Sequence, residues 1–125
     1  MKVLHVDDEM DLREITQLSL ELDPDIEVDS AESAAHALAL IGTSQPNIIL
    51  LDVMMPDMDG PNLLRVLRDR PDTKDIPVVF MTATAQTHMI DALMSLGVVG
   101  IISKPFDPMS LAGELNDLMR AARIH

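Results

Sequence analysis

The chain has 125 residues, room for one domain with a sizeable core and too few for two. With 47% hydrophobic and 24% charged residues it reads as a globular protein, and it has no cysteine, no signal-peptide core and no apolar run near the ~18 to 20 residues of a bilayer span, so we expect a cytoplasmic protein without membrane insertion or disulfides. A net charge of −12 argues against direct binding of nucleic acid, because phosphate contacts need clustered Lys and Arg.

Lys2 to Val6 reads as a short strand ending at Asp7-Asp8. Glu9 to Leu22 has apolar residues at Leu12, Ile15, Leu18, Leu20 and Leu22, close to helical spacing, and Asp23-Pro24-Asp25 breaks it. Ile26 to Asp29 is a brief strand. Ala31 to Ile41 follows as an Ala- and Leu-rich helix, with Ser30 or Ser33 as its cap and Gly42 at its end. Ile48 to Leu51 is a run of branched aliphatics, as a parallel strand buried on both faces requires, and it stops at Asp52. Pro56 and Gly60 punctuate the loop beyond, where Asp57 and Asp59 read as turn residues rather than ligands. Pro61 to Arg70 is a helix with a Leu63, Leu64 and Leu67 stripe. Ile76 to Met81 is a fourth strand ending at Thr82, Ala85 to Leu96 a helix closed by Gly97, and Val98 to Ser103 a fifth strand ending at Lys104-Pro105. A last helix runs from Pro108 to Ala122 with Leu111, Leu115, Leu118 and Met119 inward.

Strands alternating with helices five times imply an α/β fold, a doubly wound five-stranded parallel sheet with five helices covering both faces, in one domain spanning residues 1–125 with no output domain in the chain. In such a sheet all carboxyl ends share one edge, where open α/β folds bind their ligands. The polar residues that close the core strands are Asp7 and Asp8, Asp52, Thr82 and Lys104. Two unit charges roughly 4 Å apart repel by about 4 kcal/mol at an effective dielectric near 20, a penalty that a divalent cation removes. Hard oxygen ligands favour Mg²⁺, which prefers one or two carboxylates plus a phosphate. Lys104 offers a charge and Thr82 a hydroxyl to phosphate oxygens, so Asp52 is equipped to attack phosphorus and carry an aspartyl phosphate.

At these residues the chain resembles the receiver domain of two-component response regulators, from Lys2 to about Arg120. The resemblance rests on Val6-Asp7-Asp8-Glu9, Leu51-Asp52-Val53-Met54-Met55-Pro56-Asp57-Met58-Asp59-Gly60, Met81-Thr82-Ala83 and Ser103-Lys104-Pro105-Phe106. It implies the flavodoxin-like strand order 2-1-3-4-5. It also implies Asp52 as phosphoacceptor, serving a sensor histidine kinase or a histidine phosphotransfer protein. By the same resemblance Asp8 and Asp52 bind Mg²⁺ directly, Asp7 binds it through water and the Met54 backbone carbonyl completes the set. Thr82 and Lys104 contact the phosphoryl group, and the Lys104-Pro105 bond is cis.

Such a chain catalyses its own phosphorylation and slow dephosphorylation, and signals through a downstream protein target or a phosphorylation-dependent homodimer. The usual aromatic switch residue is replaced by Ile101, which shifts output toward the loop after Thr82 and the helix that follows. Met54 lies where relatives orient the hydrolytic water, so loss of phosphate is expected to be slow. The competing readings are an aspartate-nucleophile phosphohydrolase of the haloacid dehalogenase type and a receiver-fold interaction module that takes no phosphate. The hydrolase pattern wants a second Asp two residues after the nucleophile, where this chain has Met54. His5, His36, His88 and His125 show no metal spacing and read as a strand residue, two helix-surface residues and a terminal residue. The ten methionines read as core filler, except Met54, Met55 and Met58 of the loop.

Overall fold

The computed structural model describes residues 1–84 and 86–124. Its elements, in order, are β1 (Lys2–Val6), α1 (Met10–Leu20), β2 (Glu27–Ala31), α2 (Ala34–Thr43), β3 (Ile48–Asp52), α3 (Gly60–Arg68), β4 (Val78–Thr82), α4 (Thr87–Met94), β5 (Gly100–Ser103) and α5 (Leu111–Ile124). The strands form one parallel sheet in the order β2-β1-β3-β4-β5. β3 lies at its centre and every one of its residues is buried, as its unbroken aliphatic run requires.

Alternation along the strands divides the core into two. Leu4, Val6, Ile49, Leu51, Val78 and Phe80 meet Ala37 and Ile41 of α2, Leu63 and Leu67 of α3 and Leu93 of α4. On the opposite face Val3, Ile48, Leu50, Val79, Met81 and Ile102 meet Leu20 of α1 and Leu111, Leu115 and Met119 of α5. Asp7, Asp52 and Lys104 continue the alternation of this second set beyond Val3, Leu50 and Ile102. They therefore rise from the α1–α5 side of the carboxyl edge.

Several boundaries differ from the sequence reading. Ala31 ends β2 instead of beginning α2, Ser30 lies inside β2, and Ser33 is the cap, its hydroxyl accepting from the His36 N–H at 3.1 Å. Gly42 does not stop α2, which continues to Thr43. Asp59 caps α3, accepting from the Asn62 N–H at 2.9 Å, and Asp57 takes a left-handed φ of 69°, so both serve the turn. α4 is shorter than predicted, and Ala85 and His125 lie outside the described residues. Gly97, at φ 86°, follows the turn that closes it.

The larger correction concerns α1. Its buried residues are Thr16, Ser19 and Leu20, while Ile15, Leu18 and Leu22 of the predicted stripe are exposed, Leu18 at 69%. Thr16, Ser19 and Leu20 share one arc of the helix and Ile15, Leu18 and Leu22 the neighbouring one. The small side chains bring the backbone close to the sheet, and the Ser19 hydroxyl is satisfied by the Ile15 carbonyl at 2.7 Å. The methionines depart in part from the reading: Met81 and Met119 fill core and the excepted Met54 is exposed, but Met10, Met89, Met94 and Met109 are exposed too.

Candidate functional site

Each strand of the inner sheet delivers a polar group to the same edge because hydrophobic burial fixes its register and the loop beyond fixes its end. Asp7 is fully buried. Its N–H donates to the Ala31 carbonyl, its carbonyl accepts from Arg13 Nη1 at 2.8 Å, and its Oδ1 accepts from the Glu9 N–H at 2.9 Å. Asp8, next in the chain, is exposed. Asp52 closes β3 with 4% of its surface exposed, and Thr82 closes β4 with 5%.

The loop between β3 and α3 folds back tightly on Asp52. The Gly60 N–H donates to the Val53 carbonyl at 2.9 Å, and a Cβ on Gly60 would stand 2.5 Å from the Asp52 carbonyl oxygen. Only glycine permits that approach. The loop brings the Met54 backbone N–H to the Asp52 carboxylate while leaving the Met54 side chain 76% exposed.

Carboxylate oxygens of Asp7, Asp8 and Asp52 all lie within 4.8 Å of one another. Lys104 Nζ sits between two of them, 2.9 Å from Asp52 Oδ1 and 3.2 Å from Asp7 Oδ2. Its backbone N–H donates to the Thr82 carbonyl at 2.8 Å, which ties the lysine to the end of β4. The Thr82 hydroxyl accepts from the Thr84 N–H at 3.2 Å. The peptide bond after Lys104 is cis, in agreement with the expectation.

Burial raises the pKa of Asp52 above its ordinary value; the Lys104 hydrogen bond pulls it down, and the charge on Asp7 pushes it up again. Burial works against the Lys104 ammonium, but Asp52 and Asp7 outweigh it and raise that pKa. Three carboxylates against one ammonium leave an excess of two negative charges. That excess, presented by hard oxygens, suits a divalent oxygen-seeking cation such as Mg²⁺.

Asp7, Asp8, Asp52 and Lys104 are thus brought together, with Thr82 beside them through the Lys104 backbone. Asp57 and Asp59 are not part of the carboxylate cluster. Ile101 is half-buried and packs on the core rather than standing free. His5 is the strand residue the sequence reading made it, but that reading missed its place beside the cluster, the ring lying 3.8 Å from Asp7 Oδ2. The signal available was parity, since His5 and Asp7 are two apart on β1 and share a face.

A family model described as "Response regulator receiver domain" matches residues 3–116. The response regulator Rre1 of Synechocystis is 35% identical over 119 residues, covering 95% of this chain and 52% of that protein. The phosphate regulon transcriptional regulatory protein PhoB of Pseudomonas aeruginosa is 35% identical over 118 residues, covering 94% of this chain and 51% of its own length. The chain therefore spans about half the length of these curated relatives. Among solved structures, the chemotaxis response regulator CheY4 of Vibrio cholerae superposes with a TM-score of 0.84 at 29% identity, covering 94% of this chain and 97% of that one.

Proposed function

The chain belongs to the response regulator receiver family, and from that premise we propose that Asp52 accepts a phosphoryl group from a phosphohistidine donor and thereby switches protein contacts. The observation that carries this reading is the Lys104 ammonium wedged between Asp52 and Asp7, at the edge where three strand ends meet. An Asp52 carboxylate oxygen forms the new bond to phosphorus as the bond from phosphorus to the donor's imidazole nitrogen breaks, and the electron pair leaves with that nitrogen. Lys104 is within reach to follow the incoming charge from the carboxylates to a phosphoryl oxygen, and the Thr82 hydroxyl donates to another. Asp7, Asp8 and Asp52, with the Met54 backbone carbonyl, would hold Mg²⁺, which when bound neutralises the phosphoryl oxygens.

The donor is a sensor histidine kinase or a histidine phosphotransfer protein. The output is a contact with a downstream protein target or with a second copy, biased by the added charge that Lys104 and Thr82 engage. The −12 net charge fits protein partners better than nucleic acid. Among the described residues no helix is long and apolar enough to cross a membrane.

Intact-mass spectrometry after incubation with acetyl phosphate and Mg²⁺ tests the reading. One phosphoryl adduct is expected, absent with EDTA and absent from Asp52→Asn. An adduct that survives in Asp52→Asn overturns it, as does fast, continuing turnover of small phosphate esters, which would favour the hydrolase.

A further inference from the structure

His5 sits in the middle of β1 with no exposed surface, and neither ring nitrogen has a hydrogen-bond partner among the described residues. A buried polar group without a partner is destabilising, and its explanation is to be sought in an interaction that another state of the protein makes. The surroundings indicate which. Val3, His5 and Asp7 point to one face of the sheet, and His5 Nε2 lies 3.8 Å from Asp7 Oδ2, just beyond hydrogen-bonding range. That oxygen already accepts from Lys104 Nζ. Enclosure away from water favours the neutral imidazole, which has one N–H to give and one lone pair to fill.

Two hydroxyls in the same region also lack partners, Ser30 Oγ and Thr16 Oγ1. Ser30 stands directly opposite His5 in the β1–β2 register, and Thr16 is on the buried face of α1, the helix that packs over these two strands. The α1–α5 core thus holds a small polar inclusion directly below the carboxylate cluster, with donors to spare and one ring nitrogen short of one.

We propose that His5 is a positioning residue for Asp7, its Nε2–H taking the Asp7 oxygen that Lys104 gives up when the cation enters, while its Nδ1 accepts from a hydroxyl of the inclusion. The proposal rests on the reading of Asp7 as a cation-binding carboxylate. With Lys104 displaced by the charge of the cation, Asp7 Oδ2 would lose the one side-chain donor it has among the described residues. His5 replaces that donor from below and so fixes which oxygen of Asp7 faces the site. Groups that orient the ligands of a metal in this way set a large part of its affinity.

The test uses the full chain. Calorimetric titration with Mg²⁺ compares the wild type with His5→Leu, which removes both nitrogens at similar volume, and with His5→Gln, whose amide carries an N–H to nearly the same point. His5→Leu is expected to weaken Mg²⁺ binding about tenfold while remaining at least as resistant to urea in EDTA as the wild type. His5→Gln is expected to bind within about twofold of the wild type, a rescue that a purely structural role would not produce. On the wild type, ¹⁵N–¹H spectra of the imidazoles, with His5 identified by its loss in His5→Gln, are expected to show the neutral Nε2–H tautomer. Its Nε2 proton should move downfield on adding Mg²⁺ and acetyl phosphate.

Unchanged Mg²⁺ affinity in His5→Leu overturns the proposal, and so does a His5→Gln that binds as weakly as His5→Leu. If His5→Leu does not fold, the ring spectrum decides: an Nδ1–H tautomer, or an Nε2 proton indifferent to the additions, overturns it. A wild-type chain that takes up no Mg²⁺ removes the underlying reading of Asp7, and the role of His5 with it; that result is distinct from normal uptake unaffected by the substitutions.

Discussion

Substituting alanine at two glycines should change stability in opposite directions. At Gly60 a Cβ would stand 2.5 Å from the Asp52 carbonyl oxygen, about 0.9 Å short of the 3.4 Å at which ordinary contact begins, with Val53 Cα at 3.1 Å and Phe80 Cε1 at 3.2 Å. Phe80 has no exposed surface and the other two atoms are backbone, so none of the three yields cheaply. Overpacking of this kind costs about 1–3 kcal/mol. The gain of roughly 0.5–1 kcal/mol that alanine brings over glycine inside a helix offsets only part of this.

Gly113, exposed in the first turn of α5, would meet nothing within 4 Å. There the helix term stands alone and Gly113→Ala should stabilise by up to about 1 kcal/mol. The atom displaced by Gly60→Ala belongs to Asp52, the proposed phosphoacceptor, so that variant should also lose about tenfold in Mg²⁺ affinity. Urea unfolding followed by far-ultraviolet circular dichroism is the assay, because the chain has neither Trp nor Tyr to report by fluorescence. A Gly60→Ala protein as stable as the wild type, or one stabilised as much as Gly113→Ala, would refute the close approach of α3 to the end of β3.

Stability in EDTA should fall as pH drops from 6.5 toward 4. The unfolded chain protonates His5 at its ordinary value of 6.5, whereas the folded chain does so only at about 4. The unfolded state thus binds the extra proton throughout that window, and at 1.36 kcal/mol per pH unit the loss amounts to about 3 kcal/mol by pH 4. Asp52 acts in the opposite sense, since its raised pKa makes protonation favour the folded state. The difference between wild type and His5→Gln across the series isolates the histidine, and parallel curves would contradict its burial as a neutral ring. Lys104→Met leaves Asp52 and Asp7 facing each other without the ammonium, so in EDTA it should lose on the order of 3 kcal/mol. Thermal melts with and without Mg²⁺ should then show a larger rise for this variant than for the wild type; an equal rise would mean that the lysine does not neutralise the pair. Leu18→Gln should change urea stability by no more than about 0.5 kcal/mol, because the side chain is 69% exposed. A loss of 2 kcal/mol or more would restore Leu18 to the core.

The elements and their sheet were legible because their signals are local. Four consecutive aliphatics before Asp52 admit little but a buried parallel strand, and Pro24, Pro61 and Gly97 mark helix ends through constraints of their own backbones. The carboxyl-edge cluster was legible for a related reason: parallel strands place every terminal residue at one edge, so Asp7, Asp8, Asp52, Thr82 and Lys104 needed only strand ends to be grouped. What the residues could not convey was which arc of α1 faces inward. Ile15, Leu18 and Leu22 are the more apolar choice by composition, but the sheet takes Thr16, Ser19 and Leu20 because close approach of the helix is decided by the surface it meets. The same holds for His5. A histidine in a strand titrates ordinarily or stays neutral according to what closes over it, and its burial against Asp7, Lys104 and Arg13 exists only once β1 is covered by α1 and joined by the end of β5. Hydrophobic period and chain breaks are written along the sequence, whereas desolvation and charge proximity arise between segments as distant as residues 7 and 104, and only the folded chain brings those together.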